Sequence, residues 1–186
     1  MNNPIIDPIA PNKAKGKAKD LLDGVQRSLG ATPNLFAAMA HAPAALGGYL
    51  QLSSSLATGD LPPQLREQVA LTVAGINGCD YCSAAHTFIG KKSGIAEDEL
   101  ARNRAGNSAD VTTQAGLDFA SKLVRNNGQV TPEDVQQVRN AGYSDERIIE
   151  IVAHVALNIL TNYFNIAFGT EVDFPKVESL PAQTAV

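Results

Sequence analysis

Tryptophan is absent from this 186-residue chain, aromatic residues make up only 5% of it, and cysteine occurs only twice. A core without large rings has to be built from Ala, Leu, Ile and Val, which suits closely packed helices. Apolar residues reach 44%, and the length is sufficient for one domain with a substantial core. We therefore expect a single, largely helical domain.

Basic charge is also scarce. The formal net charge is −4 and the sequence pI is about 5.3. A nucleic-acid-binding protein would need a basic face, so this class of function is not expected. One short basic tract is present, which we interpret as a solvated helix face rather than a phosphate-binding arm: Lys13, Lys15, Lys17 and Lys19.

Long apolar runs are missing as well. Prolines and charges occupy the N-terminus where a signal peptide would carry its apolar region. No run approaches the roughly 18 apolar residues of a membrane span, so no membrane association is expected. We predict a cytoplasmic protein. In that compartment, a closely spaced cysteine pair is more often catalytic or metal-binding than a structural staple.

What the chain does contain is a succession of helix start and stop signals. Pro43 and Pro132 stand where a helix would begin, and Gly30 and Gly94 where one would end. No alternating run bounded by turns is present, so no sheet is expected. The prediction is an all-α fold of about eight or nine helices. Its parts are an extended lead-in over residues 1–12, one domain over 13–172 and an extended arm over 173–186.

Both cysteines lie in the segment NGCDYCSAAHTFIGKKSG, residues 77–94. A helix is predicted from about Asp80 to Lys92, with Cys79 at its first turn. The spacings of three and then four place Cys79, Cys82 and His86 on one helix face. The helix N-terminus favours thiolate over thiol, and a disulfide between positions i and i+3 is feasible there. These are the requirements of dithiol redox chemistry.

Glu67 lies on the preceding helix, which is otherwise apolar, and it therefore needs a polar partner. If the chain reverses at residues 77–78, the first helix descends roughly 16 Å from Glu67 and the second rises roughly 12 Å to His86. We therefore expect Glu67 to contact and orient His86, which takes a thiol proton. The residues alone leave the choice of thiol open, because Cys79 is closer to the helix N-terminus and Cys82 is closer to His86.

Glu67, eleven intervening residues, Cys79-x-x-Cys82 and then x-x-x-His86 resemble the signature of AhpD-like alkylhydroperoxidases in the carboxymuconolactone decarboxylase superfamily. The resemblance extends from LGATPNLFAAMAHAPAAL to the LTNYFN and GTEVDFP stretches near the end, which is most of the chain. It is strongest to the peroxidase-related members. It implies an AhpD-like helical domain with a central antiparallel helix hairpin carrying the CxxC, assembled as a homotrimer or homohexamer.

By position, the resemblance makes Cys82 the peroxidatic thiol and Cys79 the resolving thiol, with His86 and Glu67 as the proton relay. It implies reduction of hydroperoxides without a cofactor or a metal, through a sulfenic acid and then a disulfide. An external dithiol of the lipoyl or thioredoxin type would restore both thiols.

Two places depart from the family pattern. The best-studied AhpD-type proteins carry a histidine immediately before the second cysteine, where this chain has Tyr81. A phenol with a pKa near 10 is a poor proton shuttle at neutral pH. Many relatives carry Asn-His where this chain has Asn165-Ile166. We therefore expect weaker peroxidase turnover or a different substrate.

Several other interpretations stay open. The cysteines could be unreactive core thiols, or Cys79, Cys82 and His86 could bind zinc, although no further CxxC or HxxxH supplies strong ligands. The protein could instead be a non-enzymatic redox sensor that cycles the same disulfide. A carboxymuconolactone-decarboxylase-type enzyme acting on a small acid is less favoured, because those proteins usually lack the paired cysteines.

The remaining polar and aromatic residues are interpreted more simply. His41 and His154 are expected to be structural, as are Tyr49, Tyr143 and Tyr163 at the edge of the core. A polar line on the last predicted helix favours a subunit interface over a pocket: Arg147, Glu150, His154, Asn158, Thr161 and Asn165. Asn158, Asn162 and Asn165 are nonetheless candidates for lining the thiol site.

Overall fold

The computed structural model describes residues 4–177. Within that range the chain forms nine α-helices, a short 3-10 helix at Pro11–Lys13 and no strand, so the all-α prediction is confirmed. The helices are α1 (Gly16–Leu29), α2 (Asn34–Met39), α3 (Pro43–Leu56), α4 (Pro63–Asn77), α5 (Asp80–Lys92), α6 (Glu97–Arg104), α7 (Val111–Arg125), α8 (Pro132–Asn140) and α9 (Asp145–Phe168).

Helix α4 occupies the centre of the fold and contacts α5, α6, α7 and α9. On one side, its valines pack against α7 and α9 in a cluster that includes Val69, Val73, Leu117 and Ile151. On the other side, Ala74 belongs to a second cluster that includes both cysteines and residues of α1, α2 and α3. Burial of these apolar side chains fixes α4 in place, and α5 is held against it.

A tight reversal joins α4 to α5. Gly78 follows the last residue of α4 with φ of +67°, a conformation that side chains other than glycine rarely adopt. Cys79 is then the N-cap of α5, and its Sγ accepts the backbone N–H of Cys82 at 3.2 Å. The cysteine pair therefore lies directly at the start of α5, where its position is set by the turn.

The described parts of both predicted extensions pack back onto the domain. The N–H of Ile5 donates to the carbonyl oxygen of Phe168 at 2.8 Å, and that of Ile9 to Ala37 at 3.1 Å. His41 Nε2 contacts the carbonyl oxygen of Asp7 at 3.0 Å, a structural contact as expected. Residues 173–177 contain no helix, and the rest of the predicted arm lies outside the described residues.

Helix α9 has an unusual distribution of polarity. Its buried face carries His154, Asn158, Thr161 and Asn165, so the prediction that this polar line forms a subunit interface is wrong. The remaining two members of the line also have partners in this chain: the carboxylate of Glu150 accepts the N–H groups of residues 60 and 61, and Arg147 pairs with Asp60. The opposite face is apolar and exposed. Tyr163 belongs to that face, and its expected place at the core edge is also wrong.

By length and composition, α9 is the one helix in the described part of the chain that is apolar enough to cross a membrane. Its apolar stretch is 44% buried inside the domain. Its inward face carries amide, hydroxyl and imidazole side chains that pack against α4 and α5. This pattern is typical of the core helix of a folded domain.

Candidate active site

Cys79 and Cys82 form a disulfide, with their Cα atoms 5.3 Å apart. This distance lies within the range that a disulfide requires. Both residues are only 2% exposed. The pair predicted from the CxxC spacing is therefore present as a buried disulfide at the first turn of α5, in its oxidised form.

Glu67 and His86 meet across the α4–α5 reversal. The Nδ1 atom of His86 lies 2.8 Å from Oε2 of Glu67, and both side chains are partly buried. A carboxylate only accepts hydrogen bonds, so Nδ1 carries the proton and Nε2 remains free to act as a base. The predicted contact is present. The role of the two residues as a proton relay remains a prediction.

A cavity of about 870 Å³ opens onto the cysteine pair. Its walls come from α1, α2, α3, α5, α9 and the segment after α9. Cys82 and His86 are part of the wall, whereas Cys79 is not among the lining residues. Most of the lining is apolar, with five aromatic side chains: Phe36, Tyr49, Tyr81, Phe88 and Phe174. A molecule entering the cavity would therefore contact Cys82 rather than Cys79.

Tyr81 fastens the C-terminal segment over this cavity. Its hydroxyl oxygen accepts the N–H of Leu35 at 3.2 Å and donates to the carboxylate of Asp173. The ring of Phe174 packs edge-on against Tyr81, with centroids 5.6 Å apart. Burial, and then the nearby acid, raise the pKa of Tyr81 far above its usual value. Tyr81 is therefore a neutral tether and not a proton shuttle, in line with its expected inability to replace a histidine.

Two further titratable side chains, Tyr49 and His154, lie close enough to Glu67 to be affected by its charge. Burial raises the pKa of Tyr49, and the negative charge of Glu67 raises it further. Burial lowers the pKa of His154, and the positive charge of Arg66 on α4 lowers it further. Both groups are therefore neutral near pH 7, and the carboxylate of Glu67 lies within electrostatic reach of each of them.

The three candidate asparagines of α9 differ in what they contact. The Nδ2 atom of Asn165 donates to Cys82 Sγ at 3.3 Å. Asn162 accepts from the amide of Asn77 at 3.0 Å and so ties α9 to the end of α4. Asn158 donates to the carbonyl oxygen of His154 in its own helix at 2.8 Å. Only Asn165 reaches the cysteine pair.

The sequence did not reveal all of the residues at this site. Tyr49 and Thr161 line the cavity, although the sequence suggested an edge aromatic and an interface residue for them. Phe174 was assigned to an extended arm, yet it packs against Tyr81 and Phe88. The one available signal in the sequence was that Phe174 is a large apolar residue between the polar Asp173 and Pro175.

Grouped metal ligands are not found in the part of the chain that the structure describes. Between residues 4 and 177, no three His, Cys, Asp or Glu side chains are close enough to hold a metal ion together. The two sulfurs that a zinc site would use are bonded to each other.

Known proteins are similar to this chain in sequence and in fold. The sequence profile of the carboxymuconolactone decarboxylase family matches residues 38–125. An alkyl hydroperoxide reductase of Mycobacterium tuberculosis is 31% identical over 83 residues, which are 44% of this chain and 24% of that protein. The match thus spans about a quarter of the length of this curated relative.

Two solved structures are similar over almost their whole length. A peroxidase-related protein with an alkylhydroperoxidase AhpD core, from Ralstonia eutropha JMP134, is 25% identical with a TM-score of 0.79. The alignment covers 92% of this chain and 94% of that one. A cysteine-to-alanine variant of the debrominase Bmp8, in complex with 2,3,4-tribromopyrrole, is 20% identical with a TM-score of 0.77 and 93% coverage of both chains. The AhpD-like fold predicted from the sequence is confirmed.

Proposed function

Because this chain belongs to the carboxymuconolactone decarboxylase superfamily and carries a CxxC pair beside an apolar cavity, we propose that it is a cofactor-free thiol peroxidase that reduces organic hydroperoxides. The supporting observation is that Cys82 and His86 share the cavity wall while Glu67 holds the far side of the imidazole. A nucleophile next to an oriented base is the arrangement that activates a thiol.

The proposed cycle begins with both thiols reduced. His86 Nε2 takes the proton of Cys82, and Glu67 stabilises the imidazolium that forms. The thiolate attacks the terminal peroxide oxygen, the O–O bond breaks, and the imidazolium returns its proton to the leaving alkoxide. Cys82 becomes a sulfenic acid. The Cys79 thiol then displaces water from it to form the disulfide.

The regenerating dithiol is proposed to be a slender group of the lipoyl type. Both cysteine residues are 2% exposed, and Cys82 lines the cavity. A flexible dithiol arm would enter more easily than the folded surface of a thioredoxin-like protein. A reducing compartment such as the cytoplasm would supply such dithiols, and we place the protein there as part of this proposal. Reduction rates with dihydrolipoamide and with reduced thioredoxin compare the two donors.

Cysteine variants test the proposed function. We expect Cys82→Ser to abolish hydroperoxide consumption measured with excess dithiothreitol. In Cys79→Ser, a sulfenic acid on Cys82 should be trapped by dimedone and seen in the intact mass. Full turnover by both variants would rule out the thiol mechanism and favour the small-acid enzyme. Oxidation of the unaltered protein by one equivalent of peroxide, with no steady-state turnover, would identify a redox sensor.

Reductive dehalogenation is a second candidate. The observation that favours it is that Cys82 shares the cavity wall with five aromatic side chains, on which a flat halogenated ring could stack, together with the fold shared with the debrominase. The Cys82 thiolate would take the halogen as the ring carbon gains a proton, and Cys79 would then displace halide to form the disulfide. Release of bromide from 2,3,4-tribromopyrrole in the presence of dihydrolipoamide tests this candidate.

We also propose that the protein assembles as a homotrimer or homohexamer through the exposed face of α9. Four apolar side chains there are between 43% and 68% exposed: Ile149, Val152, Leu160 and Tyr163. Their spacings of three, eight and three keep them on one face of a helix with 3.6 residues per turn. A contiguous apolar face of this kind is typical of an interaction surface.

A further inference from the structure

Each sulfur of the pair has its own N–H donor, and the two donors come from different parts of the chain. Cys79 Sγ accepts the backbone N–H of Cys82 at 3.2 Å, at the N-terminus of α5. Cys82 Sγ accepts the side-chain amide of Asn165 at 3.3 Å, from α9. The helix N-terminus therefore serves Cys79, and Cys82 depends on a residue 83 positions away.

The side-chain amide of Asn165 makes this contact through its nitrogen, while its oxygen is left without a hydrogen-bond partner among residues 4–177. Asn165 is 4% exposed, and its Oδ1 has no hydrogen-bond partner within the described chain. The side-chain hydrogen bond of Asn165 is therefore the one to Cys82 Sγ. Its nitrogen, which is a hydrogen-bond donor, faces the sulfur of Cys82. A thiolate only accepts hydrogen bonds, so this orientation would stabilise it.

The backbone on both sides of the contact is fixed. Asn162, one turn before Asn165, accepts from Asn77 at 3.0 Å and anchors α9 to the end of α4. Gly78 and Cys79 then lead directly into α5. The helix of the donor, α9, and the helix of the sulfur, α5, are therefore both anchored at the end of α4. Little reorganisation of the donor is needed when negative charge develops on the sulfur.

We propose that Asn165 is a catalytic residue that stabilises the thiolate of Cys82, and that the N-terminal amide of α5 serves Cys79 in the opposite half-reaction. The inference rests on the proposed function and deepens it. It also gives a structural reason for Cys82 to be the attacking sulfur, a choice that the sequence left open between two cysteines on one helix.

In the oxidative half-reaction, the Cys82 thiolate forms an S–O bond as the O–O bond breaks. Sulfur loses two electrons, the peroxide gains them, and the proton taken by His86 goes to the leaving alkoxide. In the reductive half-reaction, a thiolate of an external dithiol attacks Cys82 Sγ from the cavity and the Cys79–Cys82 bond breaks. Cys79 leaves as a thiolate stabilised at the helix N-terminus. The second thiol of the dithiol then releases Cys82.

The first test is the thiol pKa of Cys82. It is measured as the rate of iodoacetamide alkylation against pH, in a Cys79→Ser background that leaves one thiol. Loss of a hydrogen bond to a charged group should raise this pKa by about one to two units in Asn165→Ala. We expect a larger rise in the isosteric Asn165→Asp, whose carboxylate repels the thiolate. Asn158→Ala is the matched control. Asn158 lies two helical turns before Asn165 on the same face of α9 and donates to the carbonyl oxygen of His154, so this variant should leave the pKa of Cys82 unchanged.

The second test separates the two half-reactions in the chain with both cysteines, followed by quenched alkylation and intact mass. At pH 7, Asn165→Ala should slow oxidation by cumene hydroperoxide up to about tenfold for each unit of pKa rise. Reduction of the disulfide by dihydrolipoamide should stay within about twofold of the parent, because Cys79 leaves in that step.

Two results would overturn the inference. One is a Cys82 pKa in both Asn165 variants equal to that of the Asn158 control. The other is equal slowing of both half-reactions, which is what a general loosening of α9 would cause. Far-ultraviolet circular dichroism identifies a variant that fails to fold, and Asn165→Asp then carries the test because it keeps the shape of the side chain. The alkylation measurement needs no peroxide, so its result stands even if Cys82→Ser shows that hydroperoxides are not the substrate.

Discussion

Glu67 is a partly buried carboxylate near the start of α4, and its neighbours explain why it is tolerated there. His86 lies 2.8 Å from it, and Tyr49 and His154 lie within its electrostatic reach. A partly buried charge of this kind requires compensating polar groups. The same contact orients the ring of His86, as the proposed proton relay requires.

Replacing Glu67 by glutamine tests the chemical part of this contact. The amide oxygen can still accept from His86 Nδ1, but the negative charge that stabilises the imidazolium is lost. We expect hydroperoxide consumption to fall by about 10²-fold, within the range for general acid–base groups. Asp80→Asn removes a carboxylate beside the cysteine pair that does not contact His86, and it should change the rate by less than about threefold. Equal rates for Glu67→Gln and the parent would contradict the relay.

His154 predicts a pH dependence of stability. Burial, and then Arg66, lower its pKa, against smaller opposing effects of Glu150 and Glu67, while His86 adds to the lowering. The folded protein therefore keeps this imidazole neutral below pH 6.5, where the unfolded chain takes up a proton. The unfolded state then binds more protons, so stability falls as the pH falls through this window, by at most about 1.4 kcal/mol per pH unit from this group.

The measurement is the urea midpoint at pH 7.5, 6.5 and 5.5 for the parent and for His154→Gln. We expect the midpoint of the parent to fall more steeply below pH 6.5 than that of the variant. His41→Gln is the matched control, since His41 is exposed and contacts only a backbone carbonyl. Identical slopes for the parent and His154→Gln would show that the buried imidazole does not titrate as described.

For individual residue contacts, the separation along the chain determined which ones the sequence could predict. The Glu67–His86 contact joins residues 19 positions apart across one two-residue reversal, so helix geometry alone anticipates it. The contact between Asn165 and Cys82 joins residues 83 positions apart on helices that are not consecutive. Its formation depends on how α9 crosses α4 and α5, which no helical periodicity specifies. The aromatic cavity wall is drawn from six segments and was missed for the same reason.

Among the secondary structure elements, the short segment after α9 has an effect out of proportion to its length. Asp173 Oδ2 accepts the N–H of Asn34 at 2.8 Å and the carboxylate bonds Tyr81, so the segment joins α2 to α5. Phe174 then lies between Tyr81 and Phe88, with ring centroids 5.6 and 5.9 Å away. The segment thereby forms part of the cavity wall beside the disulfide.

Truncating this ring should open the site. We expect Phe174→Ala to speed reduction of the disulfide by dithiothreitol several-fold, because the aromatic wall beside Cys82 is removed. The cost in unfolding free energy should be about 1–3 kcal/mol, below that of a fully buried ring, since Phe174 is only partly buried. Phe168→Ala removes a ring that packs on Phe164 and does not line the cavity, and it should leave the reduction rate unchanged. A reduction rate in Phe174→Ala no faster than in this control would show that access is limited elsewhere.

The helices themselves were the most predictable elements, because their limits are set by neighbouring residues. The predicted range of α5, Asp80 to Lys92, coincides with the observed helix, since a left-handed Gly78 and a capping Cys79 define its start. The segment at 173–177 contains no start or stop signals of this kind. Its position follows from ring packing and from the acceptor on Asp173, and proline-containing extended chain looks alike whether it is packed or solvated.

In the whole molecule, α9 combines two opposite faces. At 100° per residue, His154, Asn158, Thr161 and Asn165 cluster about half a turn away from Ile149, Val152, Leu160 and Tyr163. The polar set is buried and the apolar set is exposed, the reverse of an ordinary surface helix. From the sequence, the polar line was expected to form a subunit interface, whereas the structure buries its members His154, Asn158, Thr161 and Asn165 inside the domain. Polarity alone cannot tell a polar pocket from a polar interface.

The proposed assembly through α9 is tested by adding charge to its exposed face. We expect the double variant Leu160→Asp, Tyr163→Glu to shift the sedimentation-equilibrium mass from a multiple of the chain mass to that of a single 19.6 kDa chain. Val111→Asp is the control, because Val111 is an apolar residue that is 82% exposed and belongs to α7 rather than to the exposed face of α9. A monomeric parent protein, or a double variant with the mass of the parent, would contradict the assignment of this face.

Assembly and chemistry should then be coupled, because the same helix carries both faces. Asn165 donates to Cys82 from the inward side of the last turns of α9, and Leu160 and Tyr163 lie on the outward side of those turns. Removing a partner from the outward face leaves these turns held only by the contacts of their inward face, including Asn162 with Asn77. We therefore expect the monomeric double variant to show a higher Cys82 pKa than the parent, measured by alkylation in the Cys79→Ser background. An unchanged pKa in a proven monomer would show that the inward contacts position Asn165 without help from a neighbouring subunit.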